Sequence, residues 1–131
     1  MTYPAFHSLS GAADFFLIRH GESAANTRKE MQGCRVDTPL SENGRRQAEA
    51  LGRWLEKRGP LKVFSSPLLR AHETAEIICR TTGNEKPEVL QDLIEFDVGM
   101  FGGLTLEEIE QQYPDHWKEF RRQAWEAVPE A

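Results

Sequence analysis

A chain of 131 residues with 39% hydrophobic residues and ten glycines carries enough apolar material for one globular core. Its net charge of -5 and pI near 5.4 exclude a general nucleic-acid-binding or acidic-membrane surface, which needs an excess of Lys and Arg, but leave room for a local basic pocket. Cys34 and Cys79 lie far apart with no CxxC or histidine spacing around them, which argues against zinc and for two reduced thiols in a cytoplasmic protein.

Residues 1–13, MTYPAFHSLSGAA, have neither a basic start nor a long apolar run, so a flexible extension is expected there rather than a signal peptide or membrane anchor. Residues 14–131 follow as one domain. The apolar run Phe15 to Ile18 is too short for a helix and reads as a strand buried on both faces, as in a parallel sheet. It ends abruptly in Arg19-His20-Gly21-Glu22, and Gly21 permits a sharp turn that presents Arg19 and His20 at the carboxyl edge of the sheet. Ser41 is a good N-cap for an amphipathic helix carrying Ala48, Leu51 and Leu55, with Trp54 beside them, until Gly59 and Pro60 stop it. A short strand, Leu61 to Ser65, precedes a helix opened by Pro67 at its first position, with Leu68, Ala71, Ala75 and Ile78 on one face up to Gly83. Pro87 to Leu90 reads as a third strand and Asp92 to Gly103 as a glycine-rich loop. Thr105 and Glu108 then form a capping-box pattern, and Pro114 starts a last helix with an apolar stripe of Trp117, Phe120, Ala124 and Val128, flanked by Trp125. Alternating strands and helices imply a layered α/β domain with parallel strands.

Two strand ends carry the candidate chemistry. Histidine can attack phosphorus and form a phosphohistidine, which splits phosphoryl transfer into two easier steps. Arginine supplies the matching clamp, because its planar fork donates two hydrogen bonds to phosphate oxygens and stays charged. Arg19-His20 unites both. Arg70, in the first turn after Ser65-Ser66-Pro67, is a cation where the helix dipole favours an acid. That placement makes sense if the helix N-terminus and the guanidinium bind one anion, or, more simply, if Arg70 pairs with Glu73 or Glu76 at the surface. His7 and His72 read as surface residues, His72 pointing away from the face of Arg70.

The strings LIRHGESAAN, Gln32-Gly33, DTPLSENGRRQAEALG from Asp37 to Gly52, SSPLLRAHETA from Ser65 to Ala75, and Leu93-Ile94-Glu95 followed by Gly99 and Gly102-Gly103-Leu104-Thr105 together resemble the histidine phosphatase superfamily, also called phosphoglycerate-mutase-like. The resemblance implies a three-layer α/β domain with a mostly parallel central sheet and helices on both faces. It also implies phosphomonoester hydrolysis through a phosphohistidine. By resemblance His20 is the nucleophile, Arg19 and Arg70 hold the phosphoryl oxygens, and Glu95 is the acid/base, which needs a raised pKa to protonate the leaving alkoxide. Gly21, Ser23 and Asn26 help line the phosphate pocket, and Gln32-Gly33 close over it. No metal or other cofactor is expected, since two arginines supply the charge a metal would bring.

Family members carry a second histidine in a strand well beyond the glutamate loop. Here His116 is the only histidine after Glu95, and no apolar strand precedes it, so the chain reads as an incomplete domain lacking its C-terminal part. Slow turnover is expected of these 131 residues alone, and a second copy or a C-terminal fragment is the expected partner completing the sheet. The segment Phe96-Asp97-Val98-Gly99-Met100-Phe101 lacks the arginine of a mutase loop, so a phosphatase acting on a small phosphorylated metabolite is expected ahead of a phosphoglycerate mutase. A non-catalytic phosphate-binding or interaction module is the alternative from another class.

Overall fold

The structure is a computed structural model and describes residues 14–123. His7, Ala124, Trp125 and Val128 lie outside the described residues. Five helices are described, α1 (Ala24–Thr27), α2 (Glu42–Glu56), α3 (Leu69–Thr82), α4 (Leu106–Gln112) and α5 (Pro114–Gln123), with two strands, β1 (Phe64–Ser65) and β2 (Glu88–Val89). The strands pair in parallel, Phe64 with Glu88 and Ser65 with Val89, across the α3 crossover. The βαβ order read from the sequence is therefore present, but both strands are shorter than their apolar runs.

Helix α2 starts where Ser41 predicts, the serine hydroxyl accepting the Gly44 N–H at 3.0 Å. Its apolar face packs on α3, and Leu40, Ala48 and Ile77 are 2–3% exposed at that contact. Gly52 is needed there, because a Cβ would stand 2.7 Å from the Thr81 Cβ. A second cluster gathers Val98, Phe101 and Ile109, with Trp117 and Phe120 of α5 packed against it. The stripe Trp117–Phe120 is thus covered by the loop rather than left bare: Phe101 meets both rings edge-on, at 6.1 and 5.6 Å between centroids. Complete burial of a ring of this size contributes roughly 1.5–3 kcal/mol. The capping box at Thr105 and Glu108 is formed, and α5 starts at Pro114 as its sequence indicates.

Two expectations are corrected. Phe15 to Ile18 form no strand: the segment pairs with no strand among the described residues, and Phe15 and Leu17 are 87% and 100% exposed. A strand exists only through neighbours on its edges, and here the apolar run finds one ring, Phe16 leaning edge-on against Trp54 at 6.1 Å. Helix α3 begins at Leu69, not at Pro67. Leu68 holds the N-cap in extended geometry without a side chain able to cap, and the Asp37 carboxylate accepts the Leu69 N–H at 2.7 Å instead. The loop expected over 92–103 is present. Two 3₁₀ turns, Gln91–Leu93 and Gly99–Phe101, fold this stretch back on itself.

Candidate active site

The residues after Ile18 are docked on the start of α2. A Cβ on Gly21 would lie 2.5 Å from the Gly44 carbonyl oxygen, and a Cβ on Gly44 would lie 2.0 Å from the Glu22 carbonyl oxygen, so two glycines let two backbones touch. Gly21 does not have a positive φ; close approach to a helix, rather than a left-handed turn, is why glycine stands here. The contact is pinned by the Gly21 N–H donating to Thr74 Oγ1 at 3.1 Å, the Ser41 N–H to the Glu22 carbonyl at 2.8 Å, and the Glu22 N–H to Gln47 Oε1 at 2.9 Å.

This docking aims His20. Its Nδ1 lies 2.7 Å from the Gly21 carbonyl oxygen, which can only accept, so Nδ1 carries the proton. Its Nε2 lies 3.1 Å from Arg70 Nε, which can only donate, so Nε2 presents its lone pair. The imidazole is held in the tautomer a nucleophile requires. Arg70 is 3% exposed and also donates to the carbonyls of Gly33, at 2.9 Å, and Val36, at 3.2 Å. It pairs with neither Glu73 nor Glu76: Glu73 binds Arg45 at 2.6 Å and the Leu40 N–H at 2.8 Å, and Glu76 stands 3.6 Å from His72. At the helix N-terminus the Asp37 carboxylate takes the Leu69 N–H. The Asp37 charge also offsets the cation placed at the positive end of α3.

Ser23 is fully buried and acts as the N-cap of α1, its hydroxyl accepting the Asn26 N–H while Asn26 Oδ1 accepts the Ser23 N–H at 3.0 Å. The same hydroxyl lies 3.0 Å from Gln32 Oε1, which ties Ser23, Asn26 and Gln32 into one network beneath the histidine loop. Gly33 has φ +52°, and a side chain there would meet the Phe96 carbonyl at 2.7 Å. An open cleft of about 380 Å³ is lined by Arg19, His20, Glu22, Asn26 and Gln47. Glu95 is exposed on its loop, and among the described residues its carboxylate accepts one hydrogen bond, from the neighbouring Phe96 N–H at 3.1 Å. Its charge nevertheless reaches both His20 and Arg70. His20, Arg70 and Gly33 therefore meet directly, Arg19 and Asn26 share the cleft with His20, and Glu95 stands apart from direct contact.

Some neighbours were not anticipated. Gln47 and Glu22 line the cleft, and Asp37 and the Val36 carbonyl frame Arg70; all but Val36 lie inside the motif strings, which was their one signal in the sequence. His72 is not a free surface residue: its Nδ1 is 3.1 Å from Ser65 Oγ and its side chain is one-third exposed, because Ser65 at the end of β1 turns its hydroxyl toward α3.

Burial pushes the His20 pKa below its ordinary value; the charges of Arg70 and Arg19 push the same way, against the Gly21 carbonyl and Glu95. His20 is accordingly neutral near pH 7. The linkage sign follows: above 6.5 neither folded nor unfolded chain protonates it, and as pH falls through 6.5 the unfolded chain binds the proton first. Stability is then lost until pH passes the lowered folded value. Denaturant titrations of wild type and His20→Asn from about pH 7.5 to about pH 5 should show a smaller acid loss in the variant. Equal losses would mean that His20 is not held neutral by the fold.

The chain is 38% identical over 111 residues to phosphoglycerate mutase-like protein 4 of Arabidopsis thaliana, covering 82% of this chain and 47% of that one. It is 37% identical over 108 residues to phosphoserine phosphatase 1 of Hydrogenobacter thermophilus, with 81% and 48% covered. Among solved structures, a mycobacterial glucosyl-3-phosphoglycerate phosphatase complexed with VO3 superposes with a TM-score of 0.68 at 40% identity, over 81% of this chain and 49% of that one. This chain spans about half the length of these relatives, and within that span it shares their mixed α/β fold. The family model described as histidine phosphatase superfamily (branch 1) matches residues 15–131, and the chain belongs to that superfamily.

Proposed function

We propose that this chain carries the nucleophilic centre of a phosphomonoester hydrolase. The observation that carries the reading is the His20 imidazole, whose Nδ1–H is fixed on the Gly21 carbonyl while Nε2 faces the buried Arg70 guanidinium. In the resting site the Arg70 Nε–H covers the Nε2 lone pair. An arriving phosphoryl oxygen, more negative than an imidazole nitrogen, draws that N–H to itself and uncovers the nucleophile. Nε2 then attacks phosphorus, the P–O ester bond breaks, and the Glu95 carboxyl gives its proton to the leaving alkoxide. In the second half-reaction a water loses its proton to the Glu95 carboxylate and attacks phosphorus. The P–N bond breaks, and phosphate and free His20 result. Arg70 and Arg19 supply the positive charge both transition states need.

The cleft walls supplied by Arg19, Glu22, Asn26 and Gln47 are polar, which suits a small hydrophilic phosphorylated metabolite. Relatives named as phosphoserine phosphatase and glucosyl-3-phosphoglycerate phosphatase support that class. Incubation with a labelled phosphomonoester followed by quenching should trap label on His20 as an acid-labile, base-stable adduct. Label on a serine, or none, would overturn the mechanism.

The apolar side chains from Phe15 to Ile18 are exposed, as are Phe64 and Val89 of the strand pair, and the segment pairs with no strand among the described residues. The second part of this reading is that another polypeptide, a second copy or a separate fragment, covers these residues. Sedimentation of the purified chain at micromolar concentration should show a species heavier than the 14.9 kDa monomer. A compact monomer with cooperative unfolding would rule the partner out.

A further inference from the structure

Glu95 is the proposed acid/base, yet among the described residues the one hydrogen bond to its side chain comes from its own neighbour, so its position depends on what holds its loop. Phe96 stacks on Phe120 and Val98 sits in the core, and three further contacts run to the segment that follows Gln32. The Cys34 N–H donates to the Phe96 carbonyl at 3.1 Å. Arg35 Nε donates to Asp97 Oδ1 at 2.5 Å. Gly33, whose carbonyl accepts from Arg70, leaves room for the Phe96 carbonyl where any side chain would collide. Asp97 also accepts the Gly99 N–H at 2.7 Å, which sets the 3₁₀ turn after it. The loop bearing Glu95 and the segment framing Arg70 are thus one unit, with the Arg35–Asp97 ion pair on its exposed side.

We propose that Arg35 and Asp97 are positioning residues, a latch that holds the Glu95 loop against the Gly33–Arg35 segment and so places the Glu95 carboxyl relative to His20. The proposal rests on the phosphohistidine reading and goes beyond it in assigning these two side chains. An exposed ion pair contributes little to global stability, so a latch of this kind acts on geometry rather than on folding. Small displacements of a catalytic group are costly all the same.

The test uses kcat/KM, which reports formation of the phosphohistidine, on two substrates. An alkyl phosphomonoester needs a proton on its leaving oxygen; an aryl ester with a good leaving group such as p-nitrophenolate does not. Arg35→Ala and Asp97→Asn, the latter keeping an acceptor for the Gly99 N–H, should each lose about tenfold on the alkyl ester and much less on the aryl ester. The double variant should lose no more than either single one, and Arg35→Lys should retain most of the rate. Equal losses on both esters, or additive losses in the double variant, would overturn the latch. Hydrogen exchange at the Cys34 amide gives a readout independent of turnover: it should quicken in both single variants and stay slow in Arg35→Lys. If wild type forms no phosphohistidine, the proposed function fails, and unchanged Cys34 exchange in the variants separately rejects the latch.

Discussion

Arg70→Ala is expected to lower turnover of a phosphomonoester by about 10² to 10³ and to weaken binding of inorganic phosphate, the usual loss when one preorganised charge partner is removed. The guanidinium is 3% exposed and makes three contacts, none to an acid: the carbonyls of Gly33 and Val36, and His20 Nε2. Two carbonyls fix its plane, and the Nε–H faces the reacting centre. Arg70→Lys should recover only part of the loss, because an ammonium on a flexible stem cannot reach both carbonyls and a phosphoryl oxygen in one plane. Steady-state kinetics together with phosphate titration by calorimetry would measure both effects, with circular dichroism confirming that the variants fold. Unchanged kinetics in Arg70→Ala would show that the contact with His20 is incidental to the chemistry.

Gly44→Ala is expected to destabilise the chain by about 3 kcal/mol, the upper part of the range for forcing an extra carbon into a packed site. Elsewhere in a helix the same substitution stabilises by up to about 1 kcal/mol, because alanine loses less backbone entropy than glycine. Here the added Cβ would sit 2.0 Å from the Glu22 carbonyl oxygen and 2.9 Å from the Glu22 nitrogen, both backbone atoms that cannot rotate away. The clash therefore wins over the propensity gain. It would also push the histidine loop off α2, breaking the bonds from Ser41 and Gln47 to Glu22, so activity should fall further than stability alone explains. Urea unfolding of Gly44→Ala beside Gly59→Ala separates the effects. A Cβ at Gly59 meets nothing within 4 Å, and its cost comes from φ +89° alone. A Gly44→Ala chain as stable as wild type would mean that the two backbones are not in contact.

Much of this molecule could be read before any coordinates, and what could be read was local. The Ser41 cap, the α2 periodicity, the Thr105–Glu108 capping box and the Pro114 restart each depend on residues within one or two turns of one another, and the chain forms them as written. The Arg19-His20-Gly21 run and Arg70 were legible for another reason, since so few residue types can both attack phosphorus and neutralise it. The strings around them carried the family. What escaped the sequence depends on distant residues. Whether Phe15 to Ile18 become a strand depends on ladder partners, and the run meets none among the described residues. The reason for glycine at position 21 lies at Gly44, the cap of α3 comes from Asp37, and the anchor of the Glu95 loop comes from Arg35. Side-chain spacing along a segment encodes its own helix and its own face. It carries no record of which other segment comes to lie against it, because that choice is made by packing and hydrogen-bond satisfaction over the whole chain.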